Sequence, residues 1–132
     1  MSVRYLLDTH AFAWAVGNPN LLSETAAQTL KSPQNQLFIS PASVWEMSIK
    51  YAAGKWQEVA PFMDETLYAR FVKQLGASEL LISHRHTRLA GQLKGNHKDP
   101  FDRLLVAQAL LEDMTLVSKD DVLDSFSVRR VW

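Results

Sequence analysis

Four acidic residues stand at positions from which their side chains could meet at one site. Asp8 follows a short apolar run that predicts a buried strand, and Asp120 follows another such run. In open α/β sheets, ligands bind just outside the carboxyl ends of the strands, where the strand order reverses. Glu46 and Asp102 lie in the N-terminal halves of two predicted helices. We expect these four carboxylates to converge and to hold divalent metal ions.

A cluster of carboxylates suits one kind of chemistry in particular. Carboxylate oxygens are natural ligands of Mg²⁺ and Mn²⁺, which keep several waters and share the phosphate oxygens of a substrate. Two such ions can activate a water and stabilise the leaving oxygen in an in-line displacement at phosphorus. Three or four carboxylates brought together repel one another and raise one another's pKa values, and metal binding relieves that repulsion.

Helix capping is the competing interpretation of these acids. Asp8 could simply cap the helix that follows it. Glu46 is different, because Ser40 and Pro41 are the start signal of its helix, a capping hydroxyl followed by proline at the first helical position. Glu46 therefore lies inside the helix, where capping does not explain it.

The later acids have the same ambiguity. Asp99 and Asp102 have the spacing of a capping box, and we assign Asp99 to the cap and Asp102, one turn on, to the metal. Asp120 could cap the turn after its strand, with Asp121 as a solvated neighbour. Which of Asp120 and Asp121 is the fourth acid remains open at this point.

The elements that must position these acids alternate along the chain. The predicted strands cover residues 3–7, 37–39, 80–82, 114–117 and 128–131. The predicted helices cover residues 10–16, 23–31, 41–53, 64–75, 86–94 and 99–112. Strands alternating with helices indicate βαβ units and a largely parallel sheet covered on both faces. We predict one compact α/β domain over residues 1–132.

Composition limits the classes of function. The 132 residues fit one core, and 47% hydrophobic with 21% charged residues is typical of a globular chain. The 14 basic residues balance the 14 acidic ones, so nucleic-acid contacts must come from local patches. The absence of cysteine excludes disulfides and thiolate metal sites. No apolar run approaches a membrane span and no signal-peptide pattern is present, so we expect a cytoplasmic protein.

Several segments resemble the motifs of PIN-domain proteins and, in detail, those of the VapC toxins of bacterial toxin–antitoxin pairs. The segments are residues 6–10, 40–46 with Lys50 and Gly54-Lys55, 99–109 and 116–120. They cover nearly the whole chain in the right order. The Asp-Pro-Phe-Asp-Arg segment that begins at Asp99 is quite specific.

This resemblance implies a three-layer α/β/α domain with a five-stranded parallel sheet in the order 3-2-1-4-5. Strands one and four are then neighbours, so that Asp8 and Asp120 would meet at the switch point. The matching metal-binding acids are Asp8, Glu46, Asp102 and Asp120. Thr9 and Ser118 match the small hydroxyl positions that steady such a site.

The resemblance also implies an activity and partners. Family members cleave RNA endonucleolytically with Mg²⁺ or Mn²⁺, often a tRNA or a ribosomal RNA. They are inhibited by a cognate antitoxin that is encoded alongside them, and many are homodimers. We therefore expect a ribonuclease toxin with an RNA substrate, an antitoxin partner and a homodimeric state.

A local basic segment precedes the helix that starts at Asp99. Its members are Arg85, His86, Arg88, Lys94, His97 and Lys98. Arg85, Lys94 and Lys98 are candidates to contact an RNA backbone, although a solvated helix face explains each of them equally well. Arg103 is the better candidate for a role close to the site, or it pairs with an acid.

The chain also has more large apolar residues than a small core obviously needs. They are Phe12, Trp14, Trp45, Met47, Trp56, Phe62 and Met63. We expect most of them, including Trp45, to lie in the core, and some to form a groove for a dimer mate or an antitoxin helix.

The first strand end admits two other interpretations. A phosphate-accepting domain of the haloacid-dehalogenase type needs a second Asp two residues after the nucleophile, where this chain has His10. A response-receiver domain needs an acidic pair before that strand end, where this chain has Leu6-Leu7. Both are disfavoured. A non-catalytic α/β binding module, whose acids only cap helices, stays open.

Overall fold

Five parallel strands form the centre of the molecule. The structure is a computed structural model that describes residues 3–95 and 97–132. The strands are β1 (Arg4–Leu7), β2 (Gln36–Ile39), β3 (Ala77–Glu79), β4 (Thr115–Val117) and β5 (Arg130–Val131). Their order in the sheet is β3-β2-β1-β4-β5, and every pair is parallel. The α/β fold class and the predicted 3-2-1-4-5 order are confirmed.

Six α-helices accompany the sheet in the described part of the chain. They are α1 (Thr9–Gly17), α2 (Glu24–Lys31), α3 (Pro41–Ala52), α4 (Glu65–Gln74), α5 (His84–Gln92) and α6 (Pro100–Leu111). Short 3-10 helices cover Pro19–Leu21, Gln57–Met63 and Asp121–Phe126. Among the described residues, no helix combines the length and the apolar character needed to cross a bilayer.

The central strand β1 separates two apolar cores, because successive side chains of a strand point to opposite faces. Leu6 packs with α6 residues such as Leu105 and with Phe126. Leu7 packs with Phe12 of α1 and with residues of α3 and α4. Both leucines are fully buried. The sheet is thus covered on both faces, which gives the three predicted layers.

The strand order places two helix starts at the same edge of the sheet. β1 lies between β2 and β4, and the backbone N–H of Asp8 donates to the carbonyl of Val117 at 3.0 Å. The side chains of Asp8, Ser40 and Asp99 each accept a backbone N–H in the first turn of the helix that follows. The carboxyl edge of the sheet therefore carries the first turns of α1 and α3 beside the end of β4.

Two predicted elements lie elsewhere in the structure. The third strand was predicted at residues 80–82 but covers Ala77–Glu79. The position of this edge strand is determined by its backbone pairing with β2, so its side chains can be polar. The apolar residues Leu80 and Ile82, which suggested a strand, instead pack against the core that contains α6 residues. The helix predicted over residues 86–94 starts two residues earlier because Ser83 caps it.

Candidate active site

Asp8 ends β1 and is almost completely removed from solvent. Its side chain is 8% exposed and accepts hydrogen bonds from the Ala11 N–H at 2.8 Å and from the Ser118 hydroxyl. The pKa of Asp8 is raised from 3.8 to about 6, chiefly by burial and also by the negative charges of Asp102 and Glu46, while the hydrogen bonds from Ser118 and Ala11 act to lower it. Asp8 is thus a helix cap, as the competing interpretation proposed. Unlike an ordinary surface cap, it is buried among other carboxylates.

Glu46 projects from α3 toward the same place. It is 4% exposed, and its Oε2 accepts from the Lys50 Nζ at 2.6 Å, one helical turn away. The negative charge of Glu46 raises the pKa of both Asp8 and Asp102. The interior helix position that capping could not explain therefore brings a third carboxylate to the cluster.

Asp102 stands in the first turn of α6. Asp99 caps this helix by accepting the N–H groups of Phe101 and Asp102, as predicted. Burial raises the pKa of the Asp102 carboxyl, the charges of Asp99 and Glu46 raise it further, and a hydrogen bond from His97 lowers it. The His97 Nε2 lies 2.7 Å from the Asp102 Oδ2. Because an ionised carboxylate only accepts, His97 must be the donor.

Asp120 joins the cluster from the end of β4. It is exposed, it accepts the Val122 N–H, and its own N–H donates to the Ser118 Oγ at 3.1 Å. One possible ligand atom from each of His97, Asp102 and Asp120 lies within 4.8 Å of the other two. Asp120 can therefore cap its turn and still face Asp102.

Two hydroxyl residues tie the acids to their elements. The buried Ser118 donates to the Asp8 carboxylate and accepts the N–H of Asp120, so it joins the first acid to the fourth. The Thr9 Oγ1 donates to the Ser43 Oγ at 3.1 Å and thereby ties the start of α1 to α3. Ser118 thus contacts two of the acids, and Thr9 joins the two helices next to Asp8 and Glu46.

Arg103 supports the cluster indirectly, through the loop that carries His97. Its guanidinium donates to the carbonyl oxygens of Ala90, Leu93 and His97, and lies 5.7 Å from the centre of the Phe126 ring. These contacts hold the loop between α5 and α6, and so hold the backbone of His97 beside Asp102.

The donor set fits a hard divalent cation. The buried carboxylates of Asp8 and Glu46 are crowded against the partly buried carboxylate of Asp102, and the described hydrogen bonds to Asp8 come from neutral groups. The raised pKa values of Asp8 and Asp102 show that negative charge is costly here. An oxygen-rich site of this kind is suited to Mg²⁺ or Mn²⁺, and a nearby imidazole is compatible with Mn²⁺.

Comparison with protein families matches residues 5–128 to the PIN domain. This match spans most of the chain. The chain belongs to the PIN domain family. Thirty-three chains of solved structures also match, whereas no curated protein matches at a significant level.

The solved structures agree with the PIN fold. A chain of VapBC2 from Rickettsia felis, solved bound to a DNA fragment from its promoter, is 18% identical with a TM-score of 0.70, covering 98% of each chain. VapC20 of Mycobacterium tuberculosis, described as a sarcin–ricin loop cleaving toxin, is 13% identical with a TM-score of 0.65, covering 96% of this chain and 98% of that one. VapBC-5 of the same organism is 13% identical with a TM-score of 0.61, covering 98% of each chain.

The candidate RNA-contacting residues of this PIN domain are divided between two places. Lys94 and Lys98 are exposed and flank the loop that holds His97. Arg85 is also exposed, but the neighbouring His86 contacts Glu112 just after the opposite end of α6, about 15 Å from Asp102 along the helix. The structure therefore places Lys98 next to the histidine that contacts Asp102, and leaves Arg85 away from the acids.

Two expectations about side chains are corrected. His86 is 3% exposed and part of a capping box, so it is not available to a basic surface. Trp45, which we expected in the core, is 56% exposed and packs edge-on against Phe101 at 4.8 Å between ring centres. Helical periodicity turns Met47 inward and Trp45 outward, and the sequence does not reveal which face of α3 is covered.

His97 is the site residue that the sequence analysis did not identify. It was grouped with the basic segment, yet its imidazole faces Asp102. The sequence feature that could have identified His97 is its position two residues before the Asp99 cap, which keeps it near the first turn of α6. Only the path of that loop shows that the ring contacts the carboxylate.

Replacing His97 tests whether this hydrogen bond orients Asp102. We expect His97→Ala to weaken Mn²⁺ binding about 10–100-fold, the range seen when partners of metal-binding carboxylates are removed. His97→Gln places an amide N–H near the position of Nε2 and should retain most of the affinity. Calorimetric titration with Mn²⁺ measures both, with Lys98→Ala as the neighbouring control. Equal losses in the Gln and Ala variants would rule out the hydrogen bond as the cause.

The buried carboxylate of Asp8 predicts how stability depends on pH. Its pKa is raised in the folded state, so its charge destabilises the fold above about pH 6, and this cost disappears as the pH falls toward 3.8. The difference corresponds to about 3 kcal/mol. Metal-free Asp8→Asn should therefore exceed the wild type by up to about 3 kcal/mol in free energy of unfolding near pH 7, and by little near pH 4.

Urea unfolding of both proteins at the two pH values measures this difference. Asp64→Asn makes the same chemical change at an exposed cap of α4 and should follow the wild type. A constant gap between Asp8→Asn and the wild type at both pH values would contradict the expectation.

Proposed function

We propose that this protein is a metal-dependent endoribonuclease of the VapC type that acts as a single PIN domain. The observation that carries the proposal is the crowding of two buried carboxylates, on Asp8 and Glu46, with the partly buried carboxylate of Asp102 at the carboxyl edge of the sheet. A module that uses acids only as helix caps has no need for such an electrostatic cost. The family match supports a nuclease in general, and the finer activity is our proposal.

The metal would be Mg²⁺ or Mn²⁺, held by Asp8, Glu46, Asp102 and Asp120. When bound, such ions supply an activated water and stabilise charge on the leaving oxygen of a phosphodiester. The protein's part is to keep the carboxylates in place. Ser118 holds Asp8, His97 and Asp99 hold Asp102 and its helix, and Lys50 holds Glu46.

The substrate proposed is a tRNA or a ribosomal RNA, and its cleavage would inhibit translation. VapC20, a structural neighbour, is described as cleaving the sarcin–ricin loop, which supports an RNA target. Lys94 and Lys98 lie on the loop beside the acids, where they could contact phosphates and position the strand. Such a nuclease would work in the cytoplasm, where these RNAs are found.

The partners proposed are a cognate antitoxin and a second copy of the chain. Several structural neighbours were solved as toxin–antitoxin pairs, which supports an antitoxin partner. Trp45 and Ile49, one turn apart on α3, are 56% and 48% exposed, and Leu81 is 70% exposed. Large exposed apolar side chains of this kind are typical of protein interfaces.

Cleavage of total tRNA and ribosomal RNA by the purified protein tests the proposed function. The reaction is run with Mn²⁺, with Mg²⁺ and with a chelator, beside Asp8→Asn purified identically. We expect discrete products that the chelator and the substitution both abolish. Equal activity in Asp8→Asn would indicate a contaminant. Neither cleavage nor Mn²⁺ binding would favour the non-catalytic binding module, whose capping contacts by Asp8, Asp99 and Asp120 are present.

A further inference from the structure

A row of aromatic rings borders the acidic cluster beside Asp8 and Asp120. His10 and Trp56 are stacked, with ring centres 4.6 Å apart and planes 22° apart. The Trp14 ring lies 5.4 Å from His10 and 5.8 Å from Trp132. We call these four residues the aromatic row.

Lysines accompany the row along its length. The Lys50 Nζ lies 5.6 Å from the centre of the Trp56 ring, and the Lys119 Nζ lies 5.9 Å from the centre of the Trp14 ring. Lys55 and Lys119 are exposed, and the side chain of Lys50 is 38% exposed. The row therefore combines π faces with positive charge, while the metal centre next to it is negative.

Two open cavities lie along the row, and one of them reaches the acids. One, of about 310 Å³, is lined by Asp8, His10, Trp14, Lys119 and Asp120. The other, of about 280 Å³, is lined by His10, Lys50, Lys55 and Trp56. His10 is exposed and borders both cavities, so a ligand that runs along the row reaches Asp8 and Asp120 directly.

Core packing explains only part of this arrangement. Trp14 and Trp56 are partly buried, and Trp56 and Trp132 pack on the edge of the core that contains Leu7. His10 takes no part in either core and remains exposed, yet it is stacked on the Trp56 indole and lies in tilted contact with the Trp14 indole. The rings thus have fixed orientations at the surface, which lowers the entropy cost of binding a flat ligand.

We propose that the aromatic row binds single-stranded RNA, with bases stacking on His10, Trp14 and Trp56 and with Lys55 and Lys119 contacting phosphates. Aromatic platforms interleaved with cations bind single strands because every base has a π face. Bases inside a duplex do not expose that face, so the strand must be unpaired. The inference rests on the proposed nuclease function, because it specifies the form of RNA that reaches that same site.

Binding in a chelator separates recognition from cleavage. The probe is a fluorescein-labelled single strand of about ten nucleotides, compared with its duplex and with an abasic phosphodiester of equal length and charge. Fluorescence anisotropy gives the dissociation constants. We expect the wild type to bind the single strand at least about 100-fold more tightly than the abasic chain, since each stacked base contributes roughly tenfold.

Substitutions locate the binding surface. His10→Ala removes a ring that lies outside both cores, and Trp56→Leu keeps an apolar side chain at that position without the indole face. Each should lower affinity for the single strand about tenfold while leaving affinity for the abasic chain unchanged. Trp45→Ala is the matched control, because it removes an exposed indole that lies outside the row. Thermal melting and Mn²⁺ titration check that each variant is folded.

Three results of the binding assay would overturn the inference. They are equal affinity for the abasic chain, equal affinity for the duplex, and loss of binding in Trp45→Ala but not in His10→Ala. If His10→Ala cleaves RNA with the same KM as the wild type, the inference is also overturned, while the nuclease proposal stays intact. Binding of single strands by the row without cleavage under any metal would support the inference and overturn the nuclease proposal.

Discussion

Asp102→Asn is expected to abolish RNA cleavage while the protein remains folded and becomes more stable. The amide keeps an oxygen that can accept from His97 Nε2, and Asp99 still caps α6. The substitution removes one of the charges that crowd the site, and burial already disfavours the charged form of Asp102. Losing a metal ligand should lower kcat/KM at least roughly 1,000-fold, since metal stabilisation of the transition state amounts to several kcal/mol.

Two measurements together decide this expectation. Cleavage rates with saturating Mn²⁺ report the function, and urea unfolding without metal reports the stability. Asp113→Asn is the control, because it removes an exposed carboxylate paired with Arg129. It should retain full activity. If Asp102→Asn unfolds, the result would favour a structural capping role for Asp102. A folded but inactive variant is the result that we expect.

The adjacent acids Asp120 and Asp121 are expected to differ sharply. Asp120→Asn should lower cleavage at least roughly 100-fold, because Asp120 shares a cluster of possible ligand atoms with His97 and Asp102. Asp121→Asn should leave cleavage within about twofold of the wild type, because Asp121 is exposed and is absent from that cluster. The two variants differ by one position and make the same chemical change.

Cleavage rates and Mn²⁺ affinity of both variants are measured side by side. Both residues act on Arg130, which also forms an ion pair with Asp124, so a stability check accompanies each assay. A loss of cleavage in Asp121→Asn with normal activity in Asp120→Asn would reverse the assignment of the fourth acid. Full activity in both would show that Asp8, Glu46 and Asp102 suffice.

Sequence pattern determined the architecture because the relevant signals are local. An apolar run that ends in Asp8, a hydroxyl before Pro41 and a carboxylate before Pro100 mark where strands end and helices begin. Alternation of strands and helices then implies a parallel sheet. The strand order came from the family resemblance rather than from these signals, and the structure agrees with it.

Edge and surface assignments needed the tertiary structure. The polar strand β3 has no apolar pattern of its own, because its position is chosen by pairing with β2. Trp45 is exposed because the other face of α3 packs inward, which depends on neighbouring elements. Intrinsic preference and composition do not contain that information.

The same division holds for the site. The sequence indicated that the carboxylates of Asp8, Glu46 and Asp102 could lie close together. It did so because strand ends and helix starts, where these acids stand, are predictable from local chemistry. The bond from His97 to Asp102 and the loop that Arg103 holds were decided only by the fold. Those contacts join residues through a loop without a repeating pattern, and its path is set by three-dimensional packing rather than by any periodic signal in the chain.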